Sequence, residues 1–192
     1  MTHPFPPSPN NPWLTYKTDI VFENNWIKVE NSRVRNPAGS DAIYGVVRFK
    51  NKAVGIIPYQ DGCIWMVGQT RFALDEYHWE IPEGGVPIAT GETMEEAGRR
   101  ELAEETGLRA QTLKPLFQMH LSNSVTDEWG QVFLATELTQ GENDLEETED
   151  ISVLKIPLQV AYEAVEAGLI TDSLTITAIY KLKLMQVLGE LE

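Results

Sequence analysis

The most informative segment of this chain runs from Gly84 to Leu108 and reads GGVPIATGETMEEAGRRELAEETGL. Three of its carboxylates belong to Glu101, Glu104 and Glu105. In a helix that advances by about 100° per residue, Glu104 and Glu105 lie roughly 60° to one side and 40° to the other side of Glu101. The sequence therefore places three negative charges on one strip of a predicted helix.

Both ends of this helix are predicted from capping residues. Thr93 is placed as the N-cap, and Glu96, three residues later, completes a capping box. Gly107 follows the last carboxylate and supplies a left-handed C-cap. The helix is therefore expected to lie between Thr93 and Gly107.

The clustered carboxylates of this helix indicate a metal site. Like charges three and four residues apart repel each other, so the cluster costs stability unless a cation neutralises it. Hard divalent cations such as Mg²⁺ take oxygen ligands and commonly bridge carboxylates to substrate phosphates. A solvated acidic helix face is the plainer alternative. The fixed arginine, glutamate and glycine positions around the cluster favour the metal site.

The same residues resemble the signature of the Nudix hydrolase family, G-x5-E-x7-R-E-U-x-E-E-x-G-U, in which U is a bulky apolar residue. From Glu92 to Leu108 the match is complete. Six residues rather than five separate Gly85 from Glu92, so the loop before the helix carries one extra residue. This insertion should alter the loop without moving the helix carboxylates.

A wider resemblance, to the ADP-ribose pyrophosphatase-like branch of that family, extends from about Trp13 to the C-terminus. Its landmarks are the segments GQTR at 68–71, WEIPEGG at 79–85 and ETEDI at 147–151. The alternation of predicted strands and helices predicts an α/β fold, an α/β/α sandwich with a mixed sheet. Short strands before Lys50 add a small N-terminal antiparallel sheet.

Three regions are predicted along the chain. Residues 1–12 carry five prolines and are expected to form a flexible tail. Residues 13–50 form the small β-sheet, which the family resemblance implies mediates homodimer pairing. Residues 51–192 form the Nudix hydrolase domain. This last region opens with a hairpin turning at Gln60-Asp61-Gly62 and is predicted to end in a helix from Asp172 to about Leu188.

Composition limits the partners and the compartment. The chain has 192 residues, 42% hydrophobic and 23% charged, with a formal net charge of −14. This acidic balance argues against nucleic-acid partners, because phosphate neutralisation dominates such binding. No stretch approaches a membrane span, and the N-terminus lacks the apolar core of a signal peptide. With a single cysteine, Cys63, these features favour a cytoplasmic protein whose partner is a small molecule.

The resemblance implies a metal-binding set around the helix. Glu101 and Glu105 are the first ligands expected for Mg²⁺, with Mn²⁺ as an alternative, and Glu104 is the next. The backbone carbonyl of Glu83 and the carboxylate of Glu149, in an acidic loop, are expected to add ligands. Arg100 and Glu92 are expected to support these ligands rather than to touch substrate.

A general base is also required to activate water. Residues 141–150, GENDLEETED, hold six acidic residues. In the family an acidic loop at this place supplies the base, and alignment on Asp150 matches Glu147 to that role. Neighbouring Glu146 could substitute for Glu147, a solvated loop is the plainer alternative, and Glu104 is the candidate base if the loop plays no part.

Substrate contacts are expected from four residues outside the helix. In the family an arginine at the position of Arg71 holds the diphosphate, and a planar guanidinium suits bidentate phosphate contact. Trp79 and Glu80 could shape the nucleoside pocket, and Trp129 could stack on a base. Each tryptophan could equally pack against the apolar core.

The predicted function is Mg²⁺-dependent hydrolysis of the diphosphate bond in a nucleoside diphosphate linked to a sugar. ADP-ribose, yielding AMP and ribose 5-phosphate, is the first candidate substrate, and GDP-mannose or ADP-glucose is the alternative. The branch usually carries a proline about fifteen residues beyond the signature, and residues 121–128, LSNSVTDE, contain none. A Nudix-like module that senses a nucleotide without catalysis is the alternative from another class.

Overall fold

The structure, a computed structural model, describes Phe5, residues 10–141 and residues 150–191. The chain divides into two compact units. The first comprises Met1–Lys50 together with Ser122–Asp127, and the second comprises Asn51–Leu121 together with Glu128–Glu192. None of the helices in the described ranges is long and apolar enough to cross a membrane.

The first unit contains a three-stranded antiparallel sheet. Its strands are β1 (Leu14–Glu23), β2 (Ile27–Arg35) and β3 (Asp41–Phe49), in the order β1-β2-β3. The Asn24 side chain accepts hydrogen bonds from the backbone N–H groups of Trp26 and Ile27, both at 2.8 Å, and so closes the first turn. The predicted antiparallel sheet is confirmed, and its first strand begins at Leu14.

The Ser122–Asp127 segment belongs to this first unit. The Val47 N–H donates to the Val125 carbonyl at 2.9 Å, and the Phe49 N–H donates to the Asp127 carboxylate at 2.9 Å. The sequence places residues 122–127 within the hydrolase region, because nothing local indicates that they return to the edge of β3.

The second unit is built on a seven-stranded mixed sheet. Five strands follow the order β10-β5-β4-β9-β8, while β6 pairs with β5 and β7 pairs with β4. The β4 and β9 strands run parallel, and the other pairs are antiparallel. The strands are β4 (Asn51–Gln60), β5 (Cys63–Arg71), β6 (Glu76–Glu80), β7 (Glu83–Pro87), β8 (Leu108–His120), β9 (Trp129–Gln140) and β10 (Ser152–Pro157).

The predicted β4–β5 hairpin is present. Asp61 and Gly62 have φ angles of 52° and 75°, as a two-residue turn with two left-handed positions requires. The β6 and β7 strands are absent from the sequence prediction. Each has only five residues, and glycine and proline in and around β7 weaken its strand propensity. Their pairing with longer neighbouring strands overrides that propensity.

Three helices flank the sheet: α1 (Met94–Thr106), α2 (Leu158–Glu166) and α3 (Ser173–Val187). The predicted capping box of α1 is confirmed, because the Glu96 N–H donates to the Thr93 hydroxyl and the Thr93 N–H donates to the Glu96 carboxylate. Gly107 ends α1 in the left-handed conformation, with a φ of 70°.

Two apolar clusters cover the two faces of the sheet. One joins α1 to the sheet through Ala97, Leu102, Val54, Ile56 and Phe133. The other joins α2 and α3 to the opposite face and contains four residues of α3 that are each at most 4% exposed: Leu174, Ala178, Leu182 and Met185. The predicted α/β/α sandwich is therefore confirmed.

Candidate functional site

Arg100 is the centre of a charged network on α1. Its guanidinium donates to Glu101 at 2.8 Å, to Glu104 at 2.9 Å and to Glu92 at 3.0 Å. Hydrogen bonds to Glu92, followed by the charge of Glu101, raise the pKa of Arg100, although burial opposes them. Arg100 therefore supplies part of the counter-charge that the sequence argument assigned entirely to a cation. One guanidinium among three carboxylates still leaves a net negative charge.

Glu105 connects α1 to the start of β7. Its side chain is nearly fully buried, and its Oε2 accepts a hydrogen bond from the Glu83 backbone N–H at 3.0 Å. A carboxylate that accepts a backbone hydrogen bond is fixed in orientation. The segment before β7 and the acidic face of α1 are therefore held together at the place where the sequence predicts shared metal ligands.

Gly84 allows a close approach between β7 and Glu101. A Cβ atom at this glycine would overlap the Glu101 carboxylate. The next residue, Gly85, faces the Asn51 side chain instead, and a Cβ there would lie 2.9 Å from Asn51 Nδ2. The absence of a side chain at Gly84 is thus required for the observed position of the Glu101 carboxylate, whereas Gly85 contacts only the flexible side-chain amide of Asn51.

Arg71 occupies a second charged network, at the end of β5. Its Nε donates to the two carboxylate oxygens of Glu80, at 3.1 and 2.9 Å, and its Nη2 donates to both Glu80 and Glu83. Burial lowers the pKa of Arg71, but the hydrogen bond to Glu80 and the charge of Glu83 outweigh it and leave the pKa raised. The predicted diphosphate ligand is therefore bound by two carboxylates, one of them the predicted substrate contact Glu80.

Asp172, the N-cap of α3, lies beside this second network. One oxygen each from Glu80, Glu83 and Asp172 lies within 4.8 Å of the others, and this is the one such cluster in the described ranges. Burial raises the pKa of the Glu83 carboxyl well above its usual value, and the charges of Asp172 and Glu80 raise it further. Sequence reasoning missed Asp172, because a helix N-cap carries no sign of a partner 89 residues away in the chain.

Glu83 connects the second network to Glu105 of α1. Its N–H group contacts Glu105, and its carboxylate contacts Arg71. In the described part of the chain, the Glu83 Oε2 atom is buried without a hydrogen-bond partner. On α1 the carboxylates of Glu101, Glu104 and Glu105 also outnumber the neighbouring guanidinium of Arg100, and carboxylate oxygens are the donors that Mg²⁺ and Mn²⁺ take. The residues present therefore fit a divalent cation.

The two predicted tryptophans lie outside these networks. Trp79 packs partly against the core beside α3, with an edge-to-face contact to Tyr77 at 5.7 Å between ring centroids. The Trp129 ring, at the start of β9, faces the Lys52 ammonium at 5.4 Å. The predicted base Glu147, its neighbour Glu146 and the predicted ligand Glu149 lie outside the described residues.

Comparison with known proteins assigns the family. The model of the NUDIX domain matches residues 49–173, which include both networks. The chain belongs to the Nudix family. It is a Nudix hydrolase related to ADP-ribose pyrophosphatases, which confirms the resemblance seen in the sequence.

Two curated relatives of this Nudix chain align along almost its whole length. An ADP-ribose pyrophosphatase from Bacillus subtilis (strain 168) is 31% identical over 176 residues, covering 91% of this chain and 94% of the relative. A protein named methanol dehydrogenase activator, from Bacillus methanolicus, is 29% identical over 176 residues with the same coverage.

A solved structure supports the fold of this Nudix hydrolase. The crystal structure of an ADP compounds hydrolase superposes with a TM-score of 0.83, covering 96% of this chain and all of the other. At 19% identity, this likeness supports the fold alone.

The contact at Gly84 generates a prediction about metal affinity. Gly84→Ala should displace the Glu101 carboxylate and weaken Mn²⁺ binding at least ~10-fold, the scale on which supporting residues affect metal sites. Electron paramagnetic resonance of free Mn²⁺ would measure this affinity. Gly85→Ala is the matched control and should stay within ~3-fold, because only the Asn51 amide must move. Equal affinity in both variants would contradict the assignment of Glu101.

Proposed function

We propose that the chain hydrolyses the diphosphate bond of ADP-ribose, in a reaction that depends on Mg²⁺, to yield AMP and ribose 5-phosphate. The observation that carries the proposal is the contact of α1 with the start of β7. There Glu101 lies against Gly84, and Glu105 accepts the Glu83 N–H. The curated relative named an ADP-ribose pyrophosphatase supports the choice of substrate.

In this proposal Glu101, Glu105 and the Glu83 carbonyl hold the cation, with Glu104 and Glu149 as further ligands. A divalent cation, when bound, lowers the pKa of the attacking water and offsets charge on the phosphoryl oxygens. Arg100 keeps the Glu101 and Glu104 carboxylates in place, and Glu92 orients Arg100 through its own hydrogen bonds. Because these hydrogen bonds already orient the carboxylates, the ligands need not rearrange much when the cation binds.

Arg71 is proposed to bind the diphosphate, and Glu80 is proposed to orient the Arg71 guanidinium. The bidentate contact with Glu80 fixes the plane of the guanidinium, while Nη2 also reaches Glu83. A diphosphate, like a carboxylate, can offer two oxygens that accept hydrogen bonds from the fork of a guanidinium. Substrate is therefore expected to replace the Glu83 contact while Glu80 continues to orient Arg71.

The nucleoside pocket is assigned to Trp79 and Trp129, each as a substrate contact. Trp79 is only partly buried, and Trp129 is also partly accessible. GDP-mannose and ADP-glucose are the alternative substrates, because the residues of the two networks contact the diphosphate rather than the base or the sugar. A sensor without catalysis is not supported by the enzyme relatives or by the complete set of signature carboxylates.

We also propose a cytoplasmic homodimer assembled through residues 13–50. Six large apolar side chains on or beside β1 are at least half exposed: Leu14, Tyr16, Ile20, Val21, Phe22 and Trp26. Exposed apolar surface of this kind is typical of an interface between proteins. A second copy of the chain is the occupant that the family resemblance implies.

Metal dependence is the first test of this function. Glu105→Gln keeps the size of the side chain and an acceptor for the Glu83 N–H but removes the ligand charge. Hydrolysis should therefore fall at least ~10²-fold, the scale of losing one electrostatic group of a catalytic site. The assay measures phosphate release, coupled to phosphatase, from ADP-ribose, ADP-glucose and GDP-mannose with Mg²⁺ or with chelator.

Glu95→Gln is the matched control on the same helix, because Glu95 pairs with Arg99 at an exposed position. Its activity should stay within ~3-fold of the wild type, the scale of a surface substitution. Full activity of Glu105→Gln, or of the wild type in chelator, contradicts the metal assignment.

The general base is tested in the acidic loop. Glu147→Gln should lower kcat by roughly 10²–10⁴-fold and leave substrate binding nearly intact. Part of the loss in Glu149→Gln should be recovered at high Mg²⁺, because a ligand rather than a base is missing. Glu146→Gln tests the register, and a defect confined to it would reassign the base to Glu146. Normal hydrolysis by all three variants would move the base to Glu104.

The dimer is tested by light scattering at micromolar concentrations. The wild type should have twice the mass of one chain. Ile20→Lys should shift the population to monomer, because it would bury an unpaired charge in the proposed interface. A monomeric wild type across this range would rule out the dimer.

A further inference from the structure

The N-terminal turn of α3 is bonded to the segment that joins β6 to β7. The backbone N–H of Ile81 donates to the Thr175 hydroxyl at 3.0 Å, across 94 residues of sequence. Both residues are fully buried. A buried backbone N–H group needs a partner, and here a side chain of α3 provides it.

The same segment is also fixed at both ends of the Pro82–Glu83 peptide group. The Pro82 carbonyl accepts the Ile56 N–H at 2.8 Å, and the Glu83 N–H donates to Glu105 at 3.0 Å. The Ile81 side chain packs closely over Gly55, where a Cβ would lie 2.9 Å from Ile81 Cδ1. Three successive residues therefore have fixed backbone partners, from α3, from β4 and from α1.

The backbone that carries the Thr175 hydroxyl is itself held in place. The Thr175 N–H donates to the Asp172 carboxylate at 2.7 Å, which is the N-cap bond of α3. A capped first turn has a fixed backbone, so the position of the hydroxyl is set by the start of the helix. The position of the Ile81 N–H group therefore depends on the position of α3, through the one hydrogen bond to Thr175.

We infer that Thr175 is a positioning residue for the metal site, an inference that rests on the hydrolysis proposed above. Its hydroxyl fixes the Ile81–Glu83 backbone, and this backbone sets both the Glu83 carbonyl and the N–H group that orients Glu105. Thr175 touches neither the cation nor the substrate. Its loss acts through the segment, by leaving the Ile81 N–H buried and unpaired, so that the backbone must shift to find another partner.

The test compares three variants of α3. Thr175→Val keeps the shape and removes the acceptor, and Thr175→Ser keeps the oxygen. Thr177→Val is the matched control, because the Thr177 hydroxyl donates at 2.8 Å to Ser173 within the helix. For each variant, kcat and KM are measured with ADP-ribose, Mn²⁺ affinity is measured by electron paramagnetic resonance, and folding is checked by thermal unfolding.

Thr175→Val should lower kcat and weaken Mn²⁺ binding at least ~10-fold each, with KM within ~3-fold, as expected for a residue that supports metal ligands. Thr175→Ser and Thr177→Val should stay within ~3-fold of the wild type in every measurement. A folded Thr175→Val that loses only thermal stability, with kcat and Mn²⁺ affinity unchanged, overturns the inference.

Two further outcomes remain decisive. If Thr175→Val does not fold, Thr175→Cys replaces it, because sulfur is a weak acceptor of similar size. Wild-type kcat and Mn²⁺ affinity in that variant overturn the inference, and losses smaller than those expected of Val support it. If the wild type hydrolyses no nucleotide sugar, the proposed function fails, while the Mn²⁺ affinities still test Thr175.

Discussion

The hydrogen bond from the Glu83 backbone N–H to the Glu105 carboxylate is the contact on which the arrangement of this site depends. It joins α1 to the start of β7, and the glycine that follows brings the Glu101 carboxylate against the same backbone. This charge-assisted bond offsets part of the cost of burying the Glu105 carboxylate. The fold thus places the Glu101 carboxylate beside Gly84 and the Glu105 carboxylate at the Glu83 N–H before any cation binds.

Two arginines each bind a different set of carboxylates in the site. Arg100 binds carboxylates of α1, and Arg71 binds Glu80 and Glu83 at the end of β5. The two roles proposed for them differ, since Arg100 keeps ligands apart and oriented while Arg71 exchanges a carboxylate for substrate phosphate. Glu83 contacts both Arg71 and Glu105, so binding of a cation and binding of a diphosphate are expected to depend on each other.

Local sequence patterns predict much of this fold. The caps of α1 at Thr93 and Gly107 and the Asp61-Gly62 turn depend on residues close in sequence, and the structure confirms them. The β7 strand is not predicted, because its stability comes from pairing with β4 rather than from its own propensity.

The candidate site divides in the same way. The carboxylates of α1 are predicted from their spacing on one helix, and their grouping needs no tertiary information. Asp172 and Thr175 are not predicted, because their contacts with the Glu80–Glu83 segment arise only when α3 packs on the sheet. The contacts of Arg71 with Glu80 and Glu83 likewise form only when β5 pairs with β6, so they could not be predicted from the sequence.

Anomalous diffraction from a crystal of the protein with Mn²⁺ tests the position of the cation most directly. We expect a manganese peak bounded by the Glu101 and Glu105 carboxylates and the Glu83 carbonyl, with Arg71 still bound to Glu80. A peak found only among Glu80, Glu83 and Asp172, with Arg71 displaced, would contradict this position.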